Sequence, residues 1–116
     1  MIQRIDPGPR MSGVVIHNGV AYLSGQVPND PQADVAQQAR EVLEKIDALL
    51  AKAGSDKSRL LRADIFLTDM ADFAAMNAVW EAWVVPGQPP SRATVQAALA
   101  RPEWKIEIVV MAAVAA

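Results

Sequence analysis

The sequence predicts an α+β fold: one domain, residues 1–116, built as a two-layer sandwich of two helices on a mixed β-sheet in the order β-β-α-β-α-β-β. Three observations predict it. Asn18-Gly19 stands between two β-prone runs, the pair most typical of a two-residue hairpin because both residues tolerate positive φ. From Val35 to Ala53 the apolar residues recur at gaps of three and four, which places them on one helical stripe. A second helical stretch then alternates with β-prone runs. Helices between strands imply right-handed crossovers, which put both helices on the same sheet face when the sheet does not reverse.

The hairpin occupies residues 14–26, with Val14-Val15-Ile16 and Val20-Ala21-Tyr22-Leu23 as its arms, and Pro28, Asn29, Asp30 and Pro31 form the loop that follows. The first helix carries Val35, Ala39, Val42, Leu43, Ile46, Leu49, Leu50 and Ala53 on its stripe, with Asp34 as its cap and Gly54 as its stop. Leu60 to Leu67 reads as a strand. The second helix begins between Asp69 and Asp72, both good capping residues, and runs to about Val84, with Phe73, Met76, Trp80, Trp83 and Val84 as its buried face. Pro86, Gly87, Pro89 and Pro90 end it. Strands from Ala93 to Ala98 and Lys105 to Ala113 complete the chain, split by a turn near Arg101-Pro102.

Composition excludes several function classes. There is no cysteine, so disulfides, thiolate nucleophiles and thiolate metal sites are absent. The one histidine, His17, adjoins the hairpin turn and reads as an exposed turn residue, which leaves no multi-histidine metal site and no histidine triad. Net charge is −2 with no Lys/Arg cluster, which argues against a nucleic-acid partner. No run is long and apolar enough to span a bilayer and the first residues lack a signal-peptide core, so a cytoplasmic location and no membrane partner are expected.

Strand alternation bears on assembly. Ala63, Ile65 and Leu67 oppose Arg62, Asp64 and Phe66; Ile106, Ile108 and Val110 oppose Lys105, Glu107, Val109 and Met111; Ala93, Val95 and Ala97 oppose Arg92, Thr94 and Gln96. The aliphatic sides are expected to pack together on the helices. The other face mixes charge with Phe66, Val109 and Met111, and a face wholly exposed to water would be more uniformly polar. It is therefore expected to be covered by copies of the same chain.

Two residues stand out for chemistry. Arg92 offers a planar, permanently charged fork that matches a carboxylate through two parallel hydrogen bonds, and it reads equally well as a surface arginine at a strand start. Glu107 lies in an aliphatic strand, where partial burial raises a carboxyl pKa and suits proton transfer near neutral pH; pairing with Arg92 or Lys105 is the structural alternative. Asn77 shares the stripe of Phe73 and Trp80 and either hydrogen-bonds a backbone group near a cleft or fixes helix to loop. Ser24 either contacts substrate or caps a strand end, and with no base beside it is not a nucleophile. Thr94 shares a side with Arg92 and offers its backbone groups. Trp80 and Trp83 read as core.

Ser24-Gly25-Gln26-Val27-Pro28 after a hydrophobic strand, Asp69-Met70-Ala71-Asp72-Phe73 with Met76-Asn77, and Pro89-Pro90-Ser91-Arg92-Ala93-Thr94-Val95 followed by Ile106-Glu107-Ile108 occur in order over nearly the whole chain. Together they resemble the reactive-intermediate deaminase family (RidA/YjgF, also labelled endoribonuclease L-PSP). Met11 to Asn18 and the Val79-Trp80-Glu81-Ala82-Trp83-Val84 segment look closer to its YoaB-like branch. The resemblance implies a chorismate-mutase-like fold. It implies a homotrimer with sheets facing inward and clefts between subunits, and cofactor-free hydrolysis of 2-imino acids to 2-keto acids and ammonia. It also implies Arg92 and Glu107 as catalytic residues, with Arg92, Ser24, Asn77 and Thr94 binding a small carboxylate substrate. Two departures bear on substrate shape and rate: the N-terminal tyrosine of the well-studied deaminases has no counterpart in Pro7-Gly8-Pro9-Arg10-Met11-Ser12, and Thr94 stands where they often have cysteine. A keto-acid-binding or sensing protein of the same fold is the alternative. A ribonuclease or translation inhibitor ranks lower, since the chain lacks a basic patch and paired histidines, and a purely structural trimer is the remaining possibility.

Overall fold

Local chemistry sets each element of the computed structural model, which describes residues 1–114. Strands β1 (Gln3–Pro7), β2 (Ser12–His17) and β3 (Val20–Leu23) form an antiparallel meander. The β2–β3 turn has Asn18 at φ 51° and Gly19 at φ 76°, the two positive angles that the hairpin requires. His17 is exposed beside that turn. Helix α1 (Val35–Lys52) starts where the Asp34 side chain accepts from the Gln37 N–H at 2.9 Å. It ends in a Schellman turn: Gly54 at φ 76° donates to the Ala51 carbonyl and Ser55 to that of Leu50. Strand β4 (Leu60–Leu67) follows. Asp69 caps a short 3-10 turn over Met70–Asp72, from which α2 (Phe73–Trp83) runs on. Strands β5 (Ser91–Gln96) and β6 (Ile106–Ala113) close the fold.

The sheet order is β1-β2-β3-β6-β4-β5, antiparallel throughout except for the parallel β4–β5 pair at one edge. This is the expected mixed sheet under two helices, with one strand more. Strand β1 lacks a hydrophobic alternation because it is an outer strand: only Ile5 is partly buried, and Pro7 is tolerated where no further strand must pair. The core is one cluster in which Val42, Ile46 and Leu50 of α1 and Met76 and Trp80 of α2 meet Val14, Ala21, Leu23, Ala63, Ile65, Leu67, Ile106, Ile108 and Val110 of the sheet. No helix among the described residues is long and apolar enough to cross a membrane.

Strand β5 corrects the expected facing. Its register pairs Ala63 with Arg92, Ile65 with Thr94 and Phe66 with Val95. Paired residues share a face, so Arg92, Thr94 and Gln96 lie on the helix side, while Ala93 and Val95 lie on the open side, where Val95 is 46% exposed. The alternation was correct but its orientation was not. A strand at the sheet edge has little helix above it, so apolarity does not decide which way it faces. Phe73 also departs from the expected buried face of α2: it occupies the first turn and is 38% exposed.

Gln38 is the one charged or polar residue that is fully buried among the described residues. Its Nε2 donates to the carbonyls of Asp30 (3.1 Å) and Glu103 (3.2 Å), and its Oε1 accepts from the Lys105 N–H (2.8 Å). It ties the loop before α1 to the loop before β6. Gln38→Leu strands two carbonyls and an N–H, so we expect a loss of about 2–4 kcal/mol, read as a lower urea midpoint at matched protein concentration. A loss below about 1 kcal/mol would mean that water replaces the side chain.

Candidate functional site

Arg92 projects from β5 toward α2. Its guanidinium carbon lies 5.6 Å from the centroid of the Trp80 ring and 6.0 Å from that of Phe73. The two aromatic residues are seven apart on α2 and therefore share a helix face. Arg92 is half-buried, yet among the described residues it makes no ion pair and no side-chain hydrogen bond. Arg62, also half-buried, is paired with Asp64 at 2.9 Å. None of its nitrogens is among the fully buried unpartnered atoms, so its five N–H donors are open to water or to a ligand.

Thr94 follows on the same side. The Ala97 N–H donates to the Leu67 carbonyl across the β4–β5 pair (2.9 Å), so strand alternation turns the Thr94 N–H to the free edge of the sheet. The Thr94 hydroxyl is buried without a hydrogen-bond partner. Arg92 and Thr94 together present a charged fork and an edge N–H, donors suited to a small anion.

Glu107 lies on the other face. It pairs in register with Phe66 of β4 and is half-buried on the open side of the sheet. The segment after β3 runs beside it: Gln26 exchanges hydrogen bonds with Ile108, at 2.9 and 3.1 Å. Gly25 then sits against the Glu107 side chain so closely that a Cβ at position 25 would overlap its carboxylate. Ser24 is committed locally, its hydroxyl donating to the Gly13 carbonyl (3.3 Å) and accepting from Gln26 Nε2 (3.2 Å). Asn77 is half-buried on α2 between Phe73 and Trp80, and its side chain makes no hydrogen bond among the described residues of one chain.

The chain thus brings together two groups, Arg92 with Thr94 and Glu107 with the Ser24-Gly25-Gln26 segment, and keeps them apart. Arg92 aligns through Ala63 with Val110, three residues from Glu107 on β6. Two strand spacings and three residues of rise put their Cα atoms about 14 Å apart, with side chains on opposite faces. The contribution of Phe73 and Trp80 to Arg92, and of Gly25 to Glu107, escaped the sequence reading. The signal for the first was available in the shared helix face; the second needed the tertiary contact.

A family model described as Endoribonuclease L-PSP matches residues 1–114. The chain belongs to this family. It is similar to the RutC family protein YoaB of Escherichia coli, 53% identical over 97% of this chain and 98% of that one. It is also similar to the 2-iminobutanoate/2-iminopropanoate deaminase of the same organism, 35% identical over 87% of this chain and 84% of the relative. Among solved structures, a member of the YjgF protein family from Neisseria meningitidis superposes with a TM-score of 0.97 at 46% identity, covering 100% of this chain and 97% of that one. The resemblance to the family and to its YoaB-like branch is borne out, and so is the fold class.

Proposed function

We propose that the chain is a cofactor-free 2-imino-acid deaminase that works in clefts between copies of itself. One observation carries this reading: a half-buried arginine whose N–H donors have no partner among the described residues, on the edge of a domain that is 35% identical to a 2-iminobutanoate/2-iminopropanoate deaminase. Arg92 holds the substrate carboxylate through two parallel hydrogen bonds, and the edge N–H of Thr94 adds a third donor. Glu107 takes a proton from a water as the water's oxygen attacks the imine carbon. Glu107 passes that proton to the nitrogen, which gives a carbinolamine. It then carries the carbinolamine's hydroxyl proton to the same nitrogen as the C–N bond breaks and the C=O bond forms, so that ammonia and a 2-keto acid leave. Arg92 and Glu107 do not meet within one chain, so the same cleft takes Arg92 from one subunit and Glu107, with its Gly25 seat, from a neighbour.

The open sheet face supplies the contact. Val15, Tyr22, Met111, Val109, Phe66 and Val95 form a band across it, and Tyr22 is 44% exposed in the isolated chain. A band of this kind is costly to leave in water, and a homotrimer with the three sheets facing inward buries it. Val109→Asp places a charge at its middle. We expect the wild type to run at three times the chain mass in size-exclusion chromatography with light scattering, and the variant to run as a monomer. A monomeric wild type ends the shared-cleft reading.

The activity is tested with 2-iminobutanoate generated in situ by an amino-acid oxidase with catalase and trapped by semicarbazide. The wild type is expected to divert imine from the trap. If it does not, yet binds 2-oxobutanoate, the cleft binds a carboxylate without turnover. The absence of a tyrosine in residues 7–12 favours that second reading.

A further inference from the structure

Among the described residues of one chain no carboxylate pairs with Arg92, and a long flexible side chain at a sheet edge would ordinarily spend its entropy in solvent. Its guanidinium instead lies within 6.0 Å of two ring centroids on one face of α2. The far end of that aromatic arrangement is anchored: Trp80 packs on Trp83 at 5.4 Å between centroids, and the Trp83 indole N–H donates to Asp47 of α1 at 3.0 Å. Trp80 is only 5% exposed and cannot swing away.

We propose, resting on the deaminase reading above, that Phe73 and Trp80 are positioning residues that set the affinity of the carboxylate site by holding the Arg92 guanidinium against their ring faces. The chemistry of this hold matters. A carboxylate partner within the chain would occupy the same in-plane N–H groups that a substrate carboxylate needs. A ring face attracts the cation from above its plane and leaves those N–H groups free. The rings also remove water from one side of the guanidinium, which strengthens its hydrogen bonds to an incoming carboxylate. Aromatic contact therefore orders the arginine without competing with its ligand.

Phe73→Leu tests this, because Phe73 is exposed enough for the exchange to leave the core intact, and Trp80→Phe is the conservative companion that keeps a ring beneath the guanidinium. KM for the imine and Kd for 2-oxobutanoate should rise about three- to tenfold in Phe73→Leu, the range of a lost cation–π contact, with kcat within about twofold. Trp80→Phe should stay close to the wild type, while Trp80→Leu should weaken binding at least as much as Phe73→Leu. NMR of the arginine Nε–H group gives a second readout that does not depend on turnover. The Arg92 resonance, assigned by its loss in Arg92→Lys, should lie upfield under the rings and return toward the free-arginine position in Phe73→Leu. An unchanged Kd together with an unmoved Arg92 resonance in Phe73→Leu overturns the proposal. If the wild type proves inactive on imines but the resonance moves as stated, the deaminase reading fails and the aromatic hold on Arg92 stands.

Discussion

Arg92→Ala is expected to lower kcat/KM for 2-iminobutanoate by two to three orders of magnitude. The side chain supplies two charge-assisted hydrogen bonds to the substrate carboxylate, and their loss removes about 3–4 kcal/mol of transition-state stabilisation. Arg92→Lys keeps the charge but not the fork, so it should recover only part of the loss. The effect should fall on activity rather than on folding, because Arg92 makes no ion pair or side-chain hydrogen bond among the described residues and stands outside the hydrophobic core. The comparison is made in the trapping assay with thermal unfolding as the control. An Arg92→Ala protein with wild-type kcat/KM removes Arg92 from the site, and the deaminase mechanism with it.

Mixing two inactive proteins should restore activity. Arg92→Ala and Glu107→Gln are each expected to be nearly inert alone. In mixed trimers, obtained by co-expression with separate affinity tags, some clefts combine the intact Arg92 of one subunit with the intact Glu107 of its neighbour. Random assembly of equal amounts makes about a quarter of the clefts complete, since each of the two contributing positions has an even chance of holding the required variant in a cyclic assembly. Recovery of about a quarter of wild-type activity is the expected result, against a background close to zero. A mixture no more active than its components would mean that one chain supplies both groups, which the opposite facings of Arg92 and Glu107 forbid without rearrangement.

Much of the molecule was legible from local signals. Asn18-Gly19 announced its hairpin because few residues accept two consecutive positive φ angles. Asp34 and Gly54 bracketed α1 because capping is a short-range hydrogen-bond problem. Leu60 to Leu67 was bounded correctly, since it is a central strand whose alternation is enforced by a core on one side. Strand β1 was missed because its pairing partner alone makes it a strand, and its polar sequence carries no pattern of burial.

The site divides along the same line. Sequence pattern picked out Arg92 and Glu107 as chemically suited residues, because a guanidinium and a carboxylate embedded in β-prone runs are conspicuous wherever they point. It also placed Arg92 and Thr94 together, since a spacing of two on a strand means one side. It did not tell which side. The facing of β5 was settled by its parallel register on β4, a pairing between segments that α2 separates in the chain. That register set Arg92 against Phe73 and Trp80 and put the sheet between it and Glu107. The chain by itself therefore determined its elements other than β1 and its candidate chemical groups, which depend on neighbours a few residues away. Only the tertiary structure decided that those groups stand back to back, because strand pairing at a sheet edge is a long-range choice that local hydrophobicity does not constrain.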